Sequence, residues 1–461
     1  MNEPSVAPAA SGAERLVPVA ALSGPRSMLK YANQPLKRFE DARALSPRAV
    51  AFKVLGLEYI VFFEPAAIEQ ILVTRHAELI KDRFTHDLRR VLGTGLLTSE
   101  GELWKRRRRL VAPSLQRPEI GAYAPVMAER AEAFVAAQTD GSVVDVHSCM
   151  MHLTLDVLVR SLFGTELSRA AEVERLLDAL MQDYLPVAEA IRVWLPDWLP
   201  VPSRRRLARL SGELDGLLLE LINERKRGAA LPSEARGGDL LTRLMRARDE
   251  EGSLTDAALR DEAMTLFLAG HETTALALTF ALRLLALHPP EERRLHDELA
   301  SVLRGRAPTM SDLPALPFTR AVVDEALRLY PPAWALGREA GSDLEIRGVL
   351  VPKGTQLLVS PWLLHRDARF FPDPHRFVPA RWLQPPAPER FAYLPFGAGP
   401  RVCIGQHFAL IEAALILATL VQRVHFQLTE QPPLELLPAV TLRPRAPVLM
   451  QLTHRTQSGN P

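Results

Sequence analysis

The stretch AYLPFGAGPRVCIGQHFAL, residues 392–410, holds one of only two cysteines in the 461-residue chain. Cys403 stands directly before an apolar run in which Phe408, Ile411, Leu415 and Ala418 recur at helical spacing. A thiolate there faces amides that lack an intrahelical partner and the positive end of the helix macrodipole, and both favour the anion. Gly397, Gly399 and Gly405 let the backbone turn tightly and approach something flat. Arg401, two residues before the cysteine, is placed to meet a carboxylate on that same object. A flat ligand with carboxylate arms and a metal that accepts sulfur is a haem. Read alone, a buried cysteine that happens to precede a helix is the competing account.

Two cysteines cannot build a disulfide framework, and neither belongs to a C-x-x-C pair. A stapled secreted fold, an all-cysteine zinc site and a thioredoxin-like pair are therefore disfavoured, and a reducing compartment, the cytoplasm, is expected. A net charge of +2 gives no reason to invoke nucleic acid. Residues 1–27, rich in Ala, Pro and Ser, lack a signal-peptide pattern and any membrane-spanning run, and read as a disordered lead-in. Residues 28–461 read as one large, mainly helical domain with minor β structure.

Residues 51–63 read as a hairpin broken at Leu55-Gly56, and PAAIEQILVTRHAELI after them reads as a helix. The longest helix is expected from a Thr255 cap to the stop at Pro289-Pro290, a rod of roughly 50 Å at 1.5 Å per residue. It is apolar nearly all round, as a central helix is. Short strand-like pieces with turns at Gly348 and Lys353-Gly354 follow residue 340, then proline-rich coil from 371 to 400 and a last helix from about Gly405.

FGAGPRVCIG resembles the haem-binding signature of the cytochrome P-450 family, F-x-x-G-x-R-x-C-x-G, through Phe396, Gly399, Arg401, Cys403 and Gly405, with Gly397 between. EALR resembles the family's E-x-x-R, and PHRFVPARW its P-x-x-F-x-P-x-R-W. The resemblance implies a structural charge triad of Glu325, Arg328 and Arg381. LWKRRRRL resembles W-x-x-x-R, implying Trp104 and Arg108 as propionate partners, and Arg338 lies where many relatives keep another. Lys105 and Arg107 are read as a solvated basic face. AGHETT resembles the oxygen-binding stretch, implying Glu272 and Thr273 as the acid and alcohol that deliver protons during oxygen activation. Glu replaces the commoner Asp, as in many relatives. Gly270 beside threonine is expected to open a local kink.

The resemblance covers the chain from about residue 28 to its end. It implies the P-450 fold, haem b held by the Cys403 thiolate, and insertion of one atom of O2 into a small organic molecule. Family alignment places Leu96, Leu97, Thr265, Leu268, Ala269, Ala333, Trp334, Ala335, Leu336, Val440 and Thr441 around the substrate. None carries a charge, so an apolar substrate such as a fatty acid, a terpene or a macrolide-like metabolite is expected. Trp194 and Trp198 fall where the access lid runs. With little chain after the haem region, electrons are expected from a separate ferredoxin or flavodoxin and its NAD(P)H-dependent reductase, docking on Lys105 to Arg109 of a soluble monomer. A peroxygenase or isomerase on the same fold, or a haem-based gas sensor or carrier, are the alternatives.

Overall fold

The computed structural model describes residues 13–31, 34–164, 170–183, 199, 201–227, 239–250, 252–384 and 388–455. Trp194 and Trp198 lie outside the described residues. Strands Ala49–Val54 and Leu57–Phe62 pair antiparallel, and the turn between them puts Leu55 and Gly56 at φ of 51° and 83°. Two positive φ values in a two-residue loop match the right-handed twist of the flanking strands. Gln356–Val359 joins this hairpin in parallel, followed by Leu336–Ala340 and the short edge strand Leu79–Ile80.

That edge strand corrects one expectation. The helix read through residue 80 ends at Thr74 in a π-turn, and Leu79 and Ile80 pair with Ala340 and Glu339. Periodicity could not see that the last residues complete a sheet. Of the amino-terminal segment read as a disordered lead-in, residues 1–12 lie outside the described residues; beyond them Glu14 N–H donates to Gly348 O at 2.7 Å, Val19 N–H to Ala51 O at 2.9 Å, and Leu22 is buried.

The helix Asp256–Leu287 runs 32 residues, and the Thr255 side chain caps it by accepting the Ala258 N–H. Among the described residues it is the one helix long and apolar enough to cross a membrane, but 72% of its most apolar window is buried inside the protein. It packs on Val146–Phe163, Pro317–Leu329 and the last helix, Gln406–Arg423, which together form the main core. A three-stranded sheet of Val424–Leu428, Leu449–His454 and Val143–Asp145 follows that last helix. The cavity lies between the long helix, the cysteine segment and the strand Leu336–Ala340.

Candidate active site

Cys403 is held by its own loop. Its N–H donates to Phe396 O at 2.9 Å, and Gly397 N–H donates to Leu394 O at 3.1 Å. Gly397 and Gly399 both have φ of +70°, which side chains rarely adopt, and a Cβ on Gly399 would collide with the Leu72 carbonyl. Gly405 differs. Its φ is −85°, and a Cβ there would sit 3.9 Å from the Cys403 sulfur. That is an ordinary contact, so neither a positive φ nor close packing demands a glycine at this turn.

Burial pushes the Cys403 thiol up, against the opposing pull of the Gly405 amide, Arg108 and the Gln406 amide. The amides at the helix start favour the anion, as the sequence argument holds, burial opposes them, and a bound metal would favour the thiolate. Cys149 is pushed up to about 11 by burial, with no such amides to oppose it.

The sulfur lines a cavity of about 670 Å³. Lys81, Arg108, Arg338 and Arg401 also line it. Burial, with Arg338 and Arg401 nearby, pushes Lys81 down to about 7, and burial pushes Arg401 down to about 10. Arg401 lies 4.1 Å over the Trp104 ring, donates to Ser99 O at 2.8 Å and pairs with Glu100. Arg108 donates to Val402 O at 3.0 Å. Arg338 donates to its neighbour's carbonyl, Gly337 O, at 2.7 Å. The acids that offset Lys81 and Arg338 are Asp82 and Glu100. Half-buried cations in excess of their counter-charges call for an anion, and a sulfur on the same wall calls for a metal. Haem, with an iron and two propionates, fits both demands.

Facing this wall, the long helix presents Glu272 and Thr273. Thr273 Oγ1 donates to Ala269 O at 2.8 Å, Thr274 to Gly270 O at 3.4 Å, and Thr154 to His271 O at 2.9 Å. The helix runs without a break through this turn. Gly270 also has a packing reason to be small: a Cβ would come 3.1 Å from Leu158. Glu272 is buried, and its Oε1 accepts from Thr441 Oγ1 at 2.7 Å and from Arg443 Nε at 2.7 Å.

A family model for cytochrome P-450 matches residues 26–451. The chain belongs to the cytochrome P-450 family. A cyclooctat-9-en-7-ol 5-monooxygenase of Streptomyces melanosporofaciens is 39% identical over 340 residues, 73% of each chain. Cyclooctatin synthase of the same organism is 38% identical over 366 residues, 78% of each chain. Pentalenene oxygenase of Streptomyces avermitilis is 33% identical over 404 residues, 83% of this chain and 87% of its own. This P-450 is a haem-thiolate monooxygenase that binds haem b and uses O2, an apolar substrate and redox partners.

Every wall residue assigned from the sequence, from Leu96 and Leu97 to Val440 and Thr441, borders the cavity. Thr441 is nonetheless committed to Glu272, and the Trp334 indole N–H to Ala439 O at 2.9 Å. The solvated basic face expected at Lys105 and Arg107 holds for Lys105 and fails for Arg107. Arg106 pairs with Asp249 at 2.9 Å, and Arg107 is buried, donating to Ala258 O at 3.0 Å and lying 3.4 Å from Glu262. Lys105 is exposed, in a surface pair with Glu102 at 2.7 Å, and Arg109 is exposed as well.

The triad forms away from the cavity. Glu325 and Arg328 are fully buried and joined by two bonds of 2.8 Å, and Arg381 Nε reaches Glu325 at 3.1 Å. Trp382 donates to the same carboxylate at 2.9 Å, and Arg328 donates to His365 O at 2.7 Å. The His365 ring then accepts the Leu394 N–H at 2.8 Å, linking the triad to the cysteine loop. Lys81, His365 and Arg443 were invisible to sequence reading because no local pattern marks them; each acquires its role from a distant segment.

Proposed function

We propose that the Cys403 thiolate would bind the haem iron of this P-450 and that Glu272 and Thr273, elsewhere on the same cavity wall, handle protons, for a small apolar cyclic substrate. The observation that carries this reading is a single cavity bordered by both the Cys403 sulfur and the Glu272-Thr273 turn. When bound, the haem would supply oxygen activation, with the Cys403 thiolate as electron donor to its iron.

The chain's own residues do the rest. Amides of Gly405 and Gln406 donate to the sulfur and temper its donor strength. Lys81, Arg108, Arg338 and Arg401 would hold the propionates, with Trp104 stacked beneath Arg401. The Thr273 hydroxyl can turn its hydrogen from Ala269 O toward the cavity, and Glu272 can pass a proton through water once it reorients from Arg443. Apolar walls exclude bulk water.

The wall residues assigned to the substrate, from Leu96 and Leu97 to Val440 and Thr441, offer it shape rather than charge. The relatives' names specify cyclooctat-9-en-7-ol and pentalenene, and terpene hydrocarbons or alcohols of that kind are the substrate class this reading favours. The donor is a separate ferredoxin or flavodoxin with its NAD(P)H-dependent reductase, serving a monomer. The deciding experiment is a screen of cyclic terpenes and straight-chain fatty acids for the low-to-high-spin shift of the haem, followed by product analysis with surrogate redox partners. Spin shifts only with fatty acids would overturn the terpene assignment.

A further inference from the structure

Leu96 and Leu97 border the cavity from a short loop, residues 93–97, and two consecutive carboxylates of the long helix hold that loop. Asp261 Oδ2 accepts the Thr94 N–H at 2.8 Å and its hydroxyl at 3.1 Å. Glu262 Oε2 accepts the Leu96 N–H at 3.1 Å. The loop backbone rides directly on the helix: a Cβ on Gly95 would collide with the Thr265 hydroxyl and stand 2.7 Å from Asp261 O. Thr265 itself borders the cavity.

Glu262 is an expensive residue to place here. It is fully buried, and its Oε1 lies 3.4 Å from Arg107, too far for a good hydrogen bond. Burial pushes its carboxyl up to about 7 despite Arg107 and the Leu96 amide. A buried, poorly compensated carboxylate is costly, and an apolar residue of similar volume would serve packing better. Besides facing the buried Arg107, it accepts the Leu96 N–H, which an apolar residue cannot do.

We propose that Glu262 is a positioning residue for substrate selection: with Asp261 it pins loop 93–97 against the long helix, and so sets how far Leu96 and Leu97 stand over the cavity and how bulky an apolar ligand is admitted. The inference rests on the reading of the cavity as the substrate chamber. The clamp needs an acceptor for the Leu96 N–H, not a charge, so the amide of glutamine serves in place of the carboxyl.

The test is a set of azole titrations of the ferric holoenzyme, read by the difference spectrum of nitrogen binding to the haem. Imidazole serves as the small probe and clotrimazole as the bulky one. In Glu262→Leu the ratio of the two dissociation constants should change by about 5- to 10-fold, the worth of one buried hydrogen bond, while Glu262→Gln stays within about twofold of wild type. A merely structural loss would weaken haem uptake or both affinities together and leave their ratio alone. Gly95→Ala, which lifts the loop with Glu262 intact, should move the ratio in the same direction as Glu262→Leu, and it decides the matter if the leucine variant takes up no haem. Normal azole binding with an unchanged ratio in the variants overturns this proposal alone. Failure of either azole to perturb the wild-type haem overturns the chamber reading and the proposal with it.

Discussion

Arg443 Nε donates to Glu272 Oε1 at 2.7 Å, across 171 positions of sequence, and both side chains are largely buried. The acid of the oxygen-binding stretch is thus not a free carboxylate in an apolar helix. It is fixed to a strand, Leu442–Pro444, that directly follows the cavity-lining residues 438–441, and Thr441 donates to the same oxygen. A proton relay through Glu272 therefore includes the making and breaking of this pair.

Removing the arginine separates the two roles of the pair. Arg443→Leu leaves a buried carboxylate without its partner and should lower stability by roughly 3 to 5 kcal/mol, read as a shift of the urea midpoint. Glu272→Gln keeps the shape and should leave the spectrum of the carbon monoxide complex unchanged while lowering the rate of product formation by about 100-fold or more. A glutamine variant that turns over at the wild-type rate would show that protons arrive by another route.

Thr273→Ala should retain haem and substrate binding but divert electrons from product into hydrogen peroxide. The Thr273 hydroxyl is the polar group of this turn that bonds only back to its own helix, at Ala269 O, and is free to turn toward the cavity. NAD(P)H consumption and product are measured side by side; full coupling in the variant contradicts the assignment.

Cys403→Ser should abolish the strongly red-shifted Soret band of the reduced carbon monoxide complex, and Cys149→Ser should not. Cys403 borders the cavity and receives the Gly405 and Gln406 amides, whereas Cys149 is packed against the main core in the helix Val146–Phe163. Retention of the band in Cys403→Ser would remove the axial assignment.

Two buried groups give stability a pH dependence of opposite signs. Burial, with Arg366 and Arg328 nearby, pushes His365 down to about 3, so the unfolded chain binds the extra proton and this contribution is lost as pH falls from about 6.5 toward 3. Burial pushes Glu412 up to about 8, so the folded chain holds the extra proton, and this contribution is lost as pH rises from about 4.5 through 8. Glu412→Gln should therefore flatten the decline in the urea midpoint between about pH 5 and 8, by as much as about 1.4 kcal/mol per pH unit. The same slope in wild type and variant would show that Glu412 is not the group responsible.

Much of this protein is determined by short stretches of its sequence. Cys403 and its glycines, the Glu325-Arg328 spacing and the Glu272-Thr273 pair identify the family because each is a local solution to a chemical demand, and the long helix announces itself by its Thr255 cap and its apolar length. The residues that complete those solutions were decided by tertiary structure. Arg443 meets Glu272, Lys81 joins Arg338 and Arg401, and Glu262 takes the Leu96 amide only after segments far apart in sequence are packed together. The basic run shows the same division: sequence presents Lys105 to Arg109 as one charged face, but helical geometry turns Arg107 and Arg108 inward and leaves Lys105 and Arg109 outside. Local pattern fixes which groups are needed, and burial with its long-range pairing fixes which groups supply them, because the cost of an uncompensated charge is set by the dielectric and the neighbours that only the folded chain provides.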